Sequence, residues 1–377
     1  MGKKILILGP AYPYRGGIAS SSERLAKQFI SEGHQVSMYT FTLQYPNFLF
    51  PGKTQYTEGT VPQNLTIQRK VSSVNPFNWL KIGREIRRLK PDILIFRYWL
   101  PFMGPCFGTI ARIVKKNKHT KIISLFDNVI PHEKRMGDNL FTSYFLKPID
   151  CFVTMSEVVE KDLKTLDNLK PRFNGVHPIY DNFGDKMSRE EALDKLNLDP
   201  SFNYILFFGI IREYKGLDLL LEAFSRLNRH ENKIKLLVVG EYYGDEDKYQ
   251  TLIKTLKIED DLVVVNKYID DSEVGIYFCA SDLVIQPYRN ATQSGVTPIA
   301  YHFEIPILVT NVGGLPEMVP HEKVGYVVEV SPDAIKNAIQ QFYSENKKEE
   351  FTSNIKIEKE KYGWEILSNG IIHLSEL

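Results

Sequence analysis

Arg212 and Lys215 stand just after an apolar run, Asn203 to Phe208, and just before a segment with helical spacing through Phe224. An arginine presents a planar fork of donors and a lysine a point charge, so the two together suit a diphosphate. Further along, Thr292-Gln293-Ser294-Gly295 and Gly313-Gly314 each separate a short apolar run from a helix start. Backbone N–H groups at such starts are unsatisfied, and small residues let an anion approach closely. The expectation is that these turns hold the diphosphate of a nucleotide-activated substrate. The plain alternative is a pair of strand-to-helix turns that bind nothing. Gly16-Gly17, preceded by Arg15, repeats the arrangement near the start of the chain. The dinucleotide pattern GxGxxG is absent there, which argues against a nicotinamide cofactor.

A second group of chemically able residues follows the apolar run Lys121 to Leu125. Asp127, His132, Glu133 and Arg135 fall within nine residues. If that run is a strand of a parallel sheet, they sit at its carboxyl edge, where ligands bind. These four groups, Asp127 and His132 first among them, are therefore expected to orient a sugar or an acceptor hydroxyl; the alternative is that His132-Glu133 is a solvated loop pair.

The elements that must position these residues alternate along the whole chain. Apolar runs at Ile5–Leu8, Val36–Tyr39, Leu65–Val71, Asp92–Phe96, Lys121–Leu125 and Cys151–Thr154 read as strands, with helical patterns between them. The alternation restarts at Phe202 after Lys170–Gly184, a stretch with two prolines, two glycines and no period that reads as a linker. Strand–helix alternation implies parallel sheets covered on both faces. A chain of 377 residues exceeds what one core usually supports, so two domains are expected. Residues 41–64 show no period and read as a long loop, part of which is expected to line the acceptor side.

Apolar content of 43% and charged content of 25% describe an ordinary globular protein. Ile5–Leu8 is too short for a secretory signal, and Ile93–Val114 is broken by arginines and prolines, so no spanning helix is expected. Cys106, Cys151 and Cys279 lack metal spacing and point to reduced, cytoplasmic thiols. Net charge is +1, yet residues 1–180 carry 26 Lys+Arg against 13 Asp+Glu, a net of +13. The remaining 21 against 33 give −12. A basic first half suits something anionic, a membrane surface, a phospholipid-like substrate or nucleic acid, and attraction of the two halves across a cleft is the alternative. The segment Phe77 to Lys90 repeats this locally, with Lys81, Arg84, Arg87, Arg88 and Lys90 beside Phe77 and Trp79.

FFGIIREYKGLDLLLEAF, LLVVGE, ASDLVIQPY and PILVTNVGGLPEMV resemble the donor-domain motifs of retaining, family-four glycosyltransferases of the GT-B fold. GPAYPYRGGIASSSERLAKQF resembles the first strand–helix unit of the same enzymes. The resemblance implies an α/β fold of two Rossmann-like domains with parallel sheets facing a cleft. Residues 1–180 would form the acceptor side, 181–362 the donor side, and 363–377 a terminal helix crossing back. The implied donor is a nucleoside-diphosphate sugar, and the implied acceptor a glycan or lipid-linked intermediate of polysaccharide biosynthesis. No metal and no nucleic acid are expected, and the protein is placed in the cytoplasm, peripheral on the inner face of the membrane.

By that resemblance Arg212 and Lys215 neutralise the diphosphate, with Arg212 displaced from the family's commoner place at Ile210. The paired glutamates that usually flank the opening turn align with Ala291 and Ile299. Thr292, Gln293, Ser294 and Gly295 fill that turn and, with Gly16, Gly17, Gly313 and Gly314, complete the expected nucleotide grip. The family's usual histidine aligns near Phe126-Asp127, so Asp127 or His132 would replace it. A sugar-nucleotide epimerase of the same fold and a non-catalytic partner subunit are the alternatives.

Overall fold

The computed structural model describes residues 2–46, 54–57, 60–130, 137–181, 183–229, 231–244 and 246–377. The chain divides into two compact units: Met1–Pro178 with Gly363–Leu377, and Ile179–Tyr362.

In the first unit the strands are β1 (Lys4–Leu8), β2 (Gln35–Leu43) and β3 (Ile67–Ser72), with α1 (Gly17–Ser31) between the first two. Then come α2 (Pro76–Leu89), β4 (Ile93–Tyr98), α3 (Gly104–Lys115), β5 (Lys121–Phe126) and α4 (Asp138–Leu146). Next are β6 (Cys151–Thr154), α5 (Glu157–Leu166) and β7 (Arg172–Asn174). All seven strands pair in parallel in the order β3-β2-β1-β4-β5-β6-β7. Ile93–Tyr98 is buried at every position, as a central strand covered on both faces must be.

Helix boundaries follow local chemistry. The Asn75 side chain accepts from the amides of Phe77 and Asn78, Pro76 opens α2, and left-handed Lys90 closes it. Ser156 caps α5 through the amide of Val159. Helix α2 buries Ile82, Gly83 and Ile86, leaving its basic residues exposed.

Two readings of the sequence are corrected here. The stretch after Lys170 is not all linker: Arg172–Asn174 adds a seventh strand beside β6. Residues 41–64 are not one loop either: β2 runs on to Leu43, and Tyr56 bridges antiparallel to Tyr14 in the β1–α1 turn.

The second unit holds α6 (Arg189–Lys195), β8 (Asn203–Phe208), α7 (Leu217–Ser225), β9 (Ile234–Val239) and α8 (Glu246–Leu256). They are followed by β10 (Leu262–Val265), α9 (Asp271–Cys279), β11 (Leu283–Gln286), α10 (Val296–Phe303) and β12 (Ile307–Thr310). The last elements are β13 (Gly325–Val328), α11 (Pro332–Ser344) and α12 (Lys348–Glu358). Six parallel strands lie in the order β10-β9-β8-β11-β12-β13. Leu217, Leu220, Leu221 and Phe224 put one face of α7 into the core at helical spacing. The expected helix start at Leu315 is a single 3-10 turn, Leu315–Met318. The terminal helix α13 (Trp364–Glu376) belongs to the first unit, where Arg24 of α1 lies over Trp364. Among the described residues no helix is long and apolar enough to cross a membrane.

Candidate functional site

In the second sheet the chain adds strands on one side of β8 and then returns to add β11 on the other. The carboxyl ends of β8 and β11 therefore flank a topological switch point, the place where open parallel sheets bind ligands. Both loops at this point are shaped by glycine. Gly209, directly after β8, has φ +99°, and a β-carbon on Gly240, after β9, would fall 2.1 Å from the Gly209 carbonyl oxygen. The chain then passes through extended Arg212 and the 3-10 turn Glu213–Lys215 to Gly216. Gly216 has φ +66° and lies so close to the Pro287 carbonyl that a β-carbon would sit 2.0 Å away. That contact carries the β8 loop against the β11 loop. The Arg289 amide donates to the Tyr214 carbonyl at 2.7 Å, and its guanidinium grips Asp218 at 2.7 and 2.8 Å.

Lys215 is the centre of the arrangement. Its Nζ lies 3.2 Å from where a Gly209 β-carbon would be, and 5.5 Å from the ring centroid of Tyr288. A Val296 methyl, at the start of α10, is 3.8 Å from that same point. Arg212 lies over Tyr243 at 5.4 Å. Among the described residues no carboxylate forms an ion pair with either cation. Burial, and then the neighbouring charge of Arg212, lower the Lys215 ammonium to about 8. A half-buried lysine beside an arginine, with neither paired to a carboxylate among the described residues, keeps a local positive charge at this sheet edge.

The β11–α10 turn closes this site. Ser294 Oγ accepts from the Val296 amide at 3.1 Å, and the Ser294 hydroxyl is also bonded to buried Tyr288. Gly295, the residue before α10, has no side chain to cap it, and the Val296 amide is the one that Ser294 takes up. Thr292 and Gln293 are half-buried in the same turn. Gly313, with φ +52°, presses on it: a β-carbon there would lie 1.4 Å from the Ala291 carbonyl oxygen. Gly314 follows and opens the Leu315–Met318 turn. Thr310 Oγ1 donates to the Tyr288 carbonyl at 2.5 Å, tying the β12 end to the same turn. Lys215, Ser294, Gly295 and Gly313 thus converge on one sheet edge. Ala291 and Ile299 are both buried.

In the first unit the switch point lies between β1 and β4. Gly16 precedes α1 with φ +108° and Gly17 begins the helix, again with no side-chain cap. Asp127 follows β5 and faces inward: its Oδ1 accepts from Arg97 Nη2 at 2.5 Å. Arg97, 1% exposed, also donates to Ser21 of α1 at 3.1 Å. A β-carbon on Gly9 would lie 2.7 Å from that of Arg97, so β1 and β4 close tightly around the pair. Burial raises the Asp127 carboxyl despite the opposing pull of Arg97. His177 is buried too, and burial followed by the charge of Arg97 lowers its imidazole to about 4. His132, Glu133 and Arg135 lie outside the described residues.

Sequence reasoning passed over Arg97, although an arginine inside the run Ile-Leu-Ile-Phe-Arg-Tyr carries its own signal. It also passed over Gly209 and Tyr288, which shape the lysine's surroundings. A glycine directly after a buried strand could have marked the first of these.

Residues 188–358 match the family described as Glycosyl transferases group 1, and residues 15–178 match Glycosyltransferase Family 4. An uncharacterized glycosyltransferase of Methanocaldococcus jannaschii, MJ1607, is 23% identical over 99% of this chain and 98% of its own. Sucrose-phosphate synthase from Thermosynechococcus elongatus superimposes with a TM-score of 0.78 at 16% identity, covering 99% and 98% of the two chains. Anabaena Alr3699/HepE, solved in complex with UDP-glucose, gives 0.74 at 13% identity over 99% and 100%.

Proposed function

The chain belongs to the glycosyltransferases whose first half is of Family 4 and whose second half is of group 1, with the GT-B fold, and from that premise we propose a retaining transfer from a nucleoside-diphosphate sugar. The observation that carries this reading is the uncompensated pair Arg212 and Lys215 at the switch point of the second sheet. The diphosphate lies against Lys215 and Arg212, with the amides at the start of α10 facing it. As the glycosidic bond breaks, negative charge grows on the β-phosphate, and these fixed positive groups stabilise it. They take the place that a divalent ion would otherwise fill. The acceptor attacks from the face the leaving group departs, and the departing phosphate takes the acceptor's proton, so the anomeric configuration is kept. The UDP-glucose held by the Anabaena neighbour supports a nucleotide sugar of this kind as the donor. The acceptor is a lipid-linked or surface glycan, and the basic first unit associates peripherally with an anionic inner membrane face.

Replacing Lys215 with Ala tests the proposal. Calorimetry against uridine, guanosine and adenosine diphosphates and their sugars should show one donor bound by the wild type and lost in the variant, with no fall in melting temperature. Undiminished affinity would remove Lys215 from the site.

One observation favours a second reading. Ala291 and Ile299, where the family resemblance places two glutamates, offer no polar group to a sugar or a ribose. A non-catalytic partner subunit would look the same. Release of nucleoside diphosphate from labelled donor in the presence of membrane extract separates the two, since a partner subunit releases none.

A further inference from the structure

A second concave site lies on the first unit, away from the carboxyl edge of its sheet. Helices α3 and α4 each leave the carboxyl end of one strand and finish near the amino end of the next, so their own carboxyl ends meet at the opposite edge. There a cavity of about 390 Å³ is lined by Arg112, Lys115, Lys116, Lys147 and Pro148. Four of its five lining residues are cations.

Helix ends account for part of this charge. Arg112 donates to the carbonyls of Gly108 and Tyr144, at 2.8 and 2.7 Å, and its guanidinium carbon lies over the Tyr144 ring, 3.7 Å from its centre. Lys115 reaches the Pro148 carbonyl at 3.3 Å and pairs with Asp150 at 2.7 Å. Cations near helix carboxyl ends satisfy orphan carbonyls and oppose the helix dipole. Lys116 and Lys147 stand at the same two helix ends, yet among the described residues neither ammonium bonds a carbonyl. Both are exposed, and among the described residues Asp150 is the one carboxylate paired with any of the four. The cavity keeps a surplus of about three positive charges.

The rim adds an apolar element. Lys170 donates to the carbonyls of Leu146 and Lys147, at 2.5 and 3.2 Å, and pairs with Asp167 at 3.4 Å. These bonds fasten the 167–170 turn to the end of α4, and the turn holds out Leu169, which is 94% exposed. On the other side Asn117 donates to the Arg87 carbonyl at 3.4 Å, joining the cavity to the basic end of α2, where Arg87, Arg88 and Lys90 are exposed. A cationic hollow with an exposed leucine on the turn fastened beside it combines charge attraction with an apolar side chain that can be buried, as interfacial membrane contacts do.

We infer that this cavity receives the phosphate of an anionic phospholipid headgroup, with Leu169 entering the boundary of the acyl chains. A free phosphate would use the cations and leave Leu169 idle, so the bilayer is the source that the two features share. The inference deepens the reading of the first unit as membrane-associated and rests on it; it does not depend on the transfer chemistry.

The test is sedimentation of the full chain with vesicles of phosphatidylcholine alone or mixed in equal parts with phosphatidylglycerol. The wild type should sediment with the mixed vesicles and not the neutral ones, and release as salt rises. Lys116→Ala and Lys147→Ala should each lower the partition roughly five-fold, from about 1 kcal/mol per basic residue at an anionic surface. Leu169→Ser should lower it without altering the salt dependence. Lys254→Ala, an exposed lysine of the second unit, should change nothing. Unchanged binding by the double lysine variant, or an equal loss with Lys254→Ala, overturns the site. Exchanging chloride for inorganic phosphate at matched ionic strength identifies the source. If phosphate alone releases the protein and raises its melting temperature only when both lysines are present, the cavity is a free-phosphate site and the lipid assignment fails. Nucleoside diphosphate release without vesicles, measured on the same variants, should match the wild type. A protein that releases none yet follows the vesicle pattern loses the transfer reading alone.

Discussion

The ammonium of Lys215 lies 3.2 Å from the point a β-carbon on Gly209 would occupy. That separation is tighter than ordinary van der Waals contact, so the bare glycine and the cation fit each other. Replacing Gly209 by Ala therefore does two things. It forces a side chain onto a backbone at φ +99°, costing about 1 kcal/mol or more. It also pushes the lysine tip away from the start of α10. Donor affinity should fall at least about tenfold, equivalent to 1.4 kcal/mol, with a modest drop in melting temperature. Gly244→Ala, where a β-carbon would meet nothing within 4 Å, is the control and should leave both unchanged. Calorimetry and thermal melts on the two variants decide it.

The ammonium of Lys215, lowered to about 8 without ligand, makes donor binding pH-dependent in a definite direction. A bound diphosphate favours the charged form and moves that value back toward the ordinary 10.5. Affinity should be level below about pH 8 and then fall, approaching tenfold per pH unit, until the bound-state value is passed. Without donor the sign for stability is opposite. The unfolded chain holds the proton up to about 10.5 and the folded one only to about 8, so stability rises with pH across that window. Lys215→Arg should flatten both profiles, because arginine keeps its proton throughout. An affinity that stays constant from pH 7 to about pH 10 in the wild type would remove the lysine from the diphosphate.

The alternation of apolar runs with helical spacing was enough to read strands and helices in both halves, because each buried parallel strand must be apolar on both faces. Lys215 and the Ser294-Gly295 turn were legible for a related reason: a charge or a small residue directly after such a run has few places to be except the sheet edge. What could not be read depends on pairings across sequence distance. Arg97 and Asp127 are thirty residues apart and meet only because β4 and β5 are neighbours in register, with Arg97 opposite Leu125. Strand β7 has three residues, none fully buried, so it lacks the apolar run that marks the others. The bridge from Tyr14 to Tyr56 likewise joins an aperiodic segment to a turn, and no local period announces it.

The Arg97–Asp127 pair makes the last prediction, because its members differ in how they respond to losing a partner. Arginine cannot shed its proton, so Asp127→Ala leaves the 1% exposed guanidinium of Arg97 charged, donating to Ser21 Oγ at 3.1 Å but without its carboxylate. Breaking a buried pair in this way costs about 3–5 kcal/mol. In Arg97→Met the group that loses the guanidinium is a carboxyl already raised by burial, which can take up a proton and become neutral. That variant should lose less, and its loss should depend on pH. With the folded-state value above the unfolded one, stability is kept at low pH and given up as pH rises through the folded value. The double variant should cost less than the sum of the singles, by about 2 kcal/mol or more. Denaturant melts of the three proteins near pH 5 and pH 7 would show this order. Equal costs at both pH values in Arg97→Met would mean that Asp127 stays ionised and is held by groups other than Arg97.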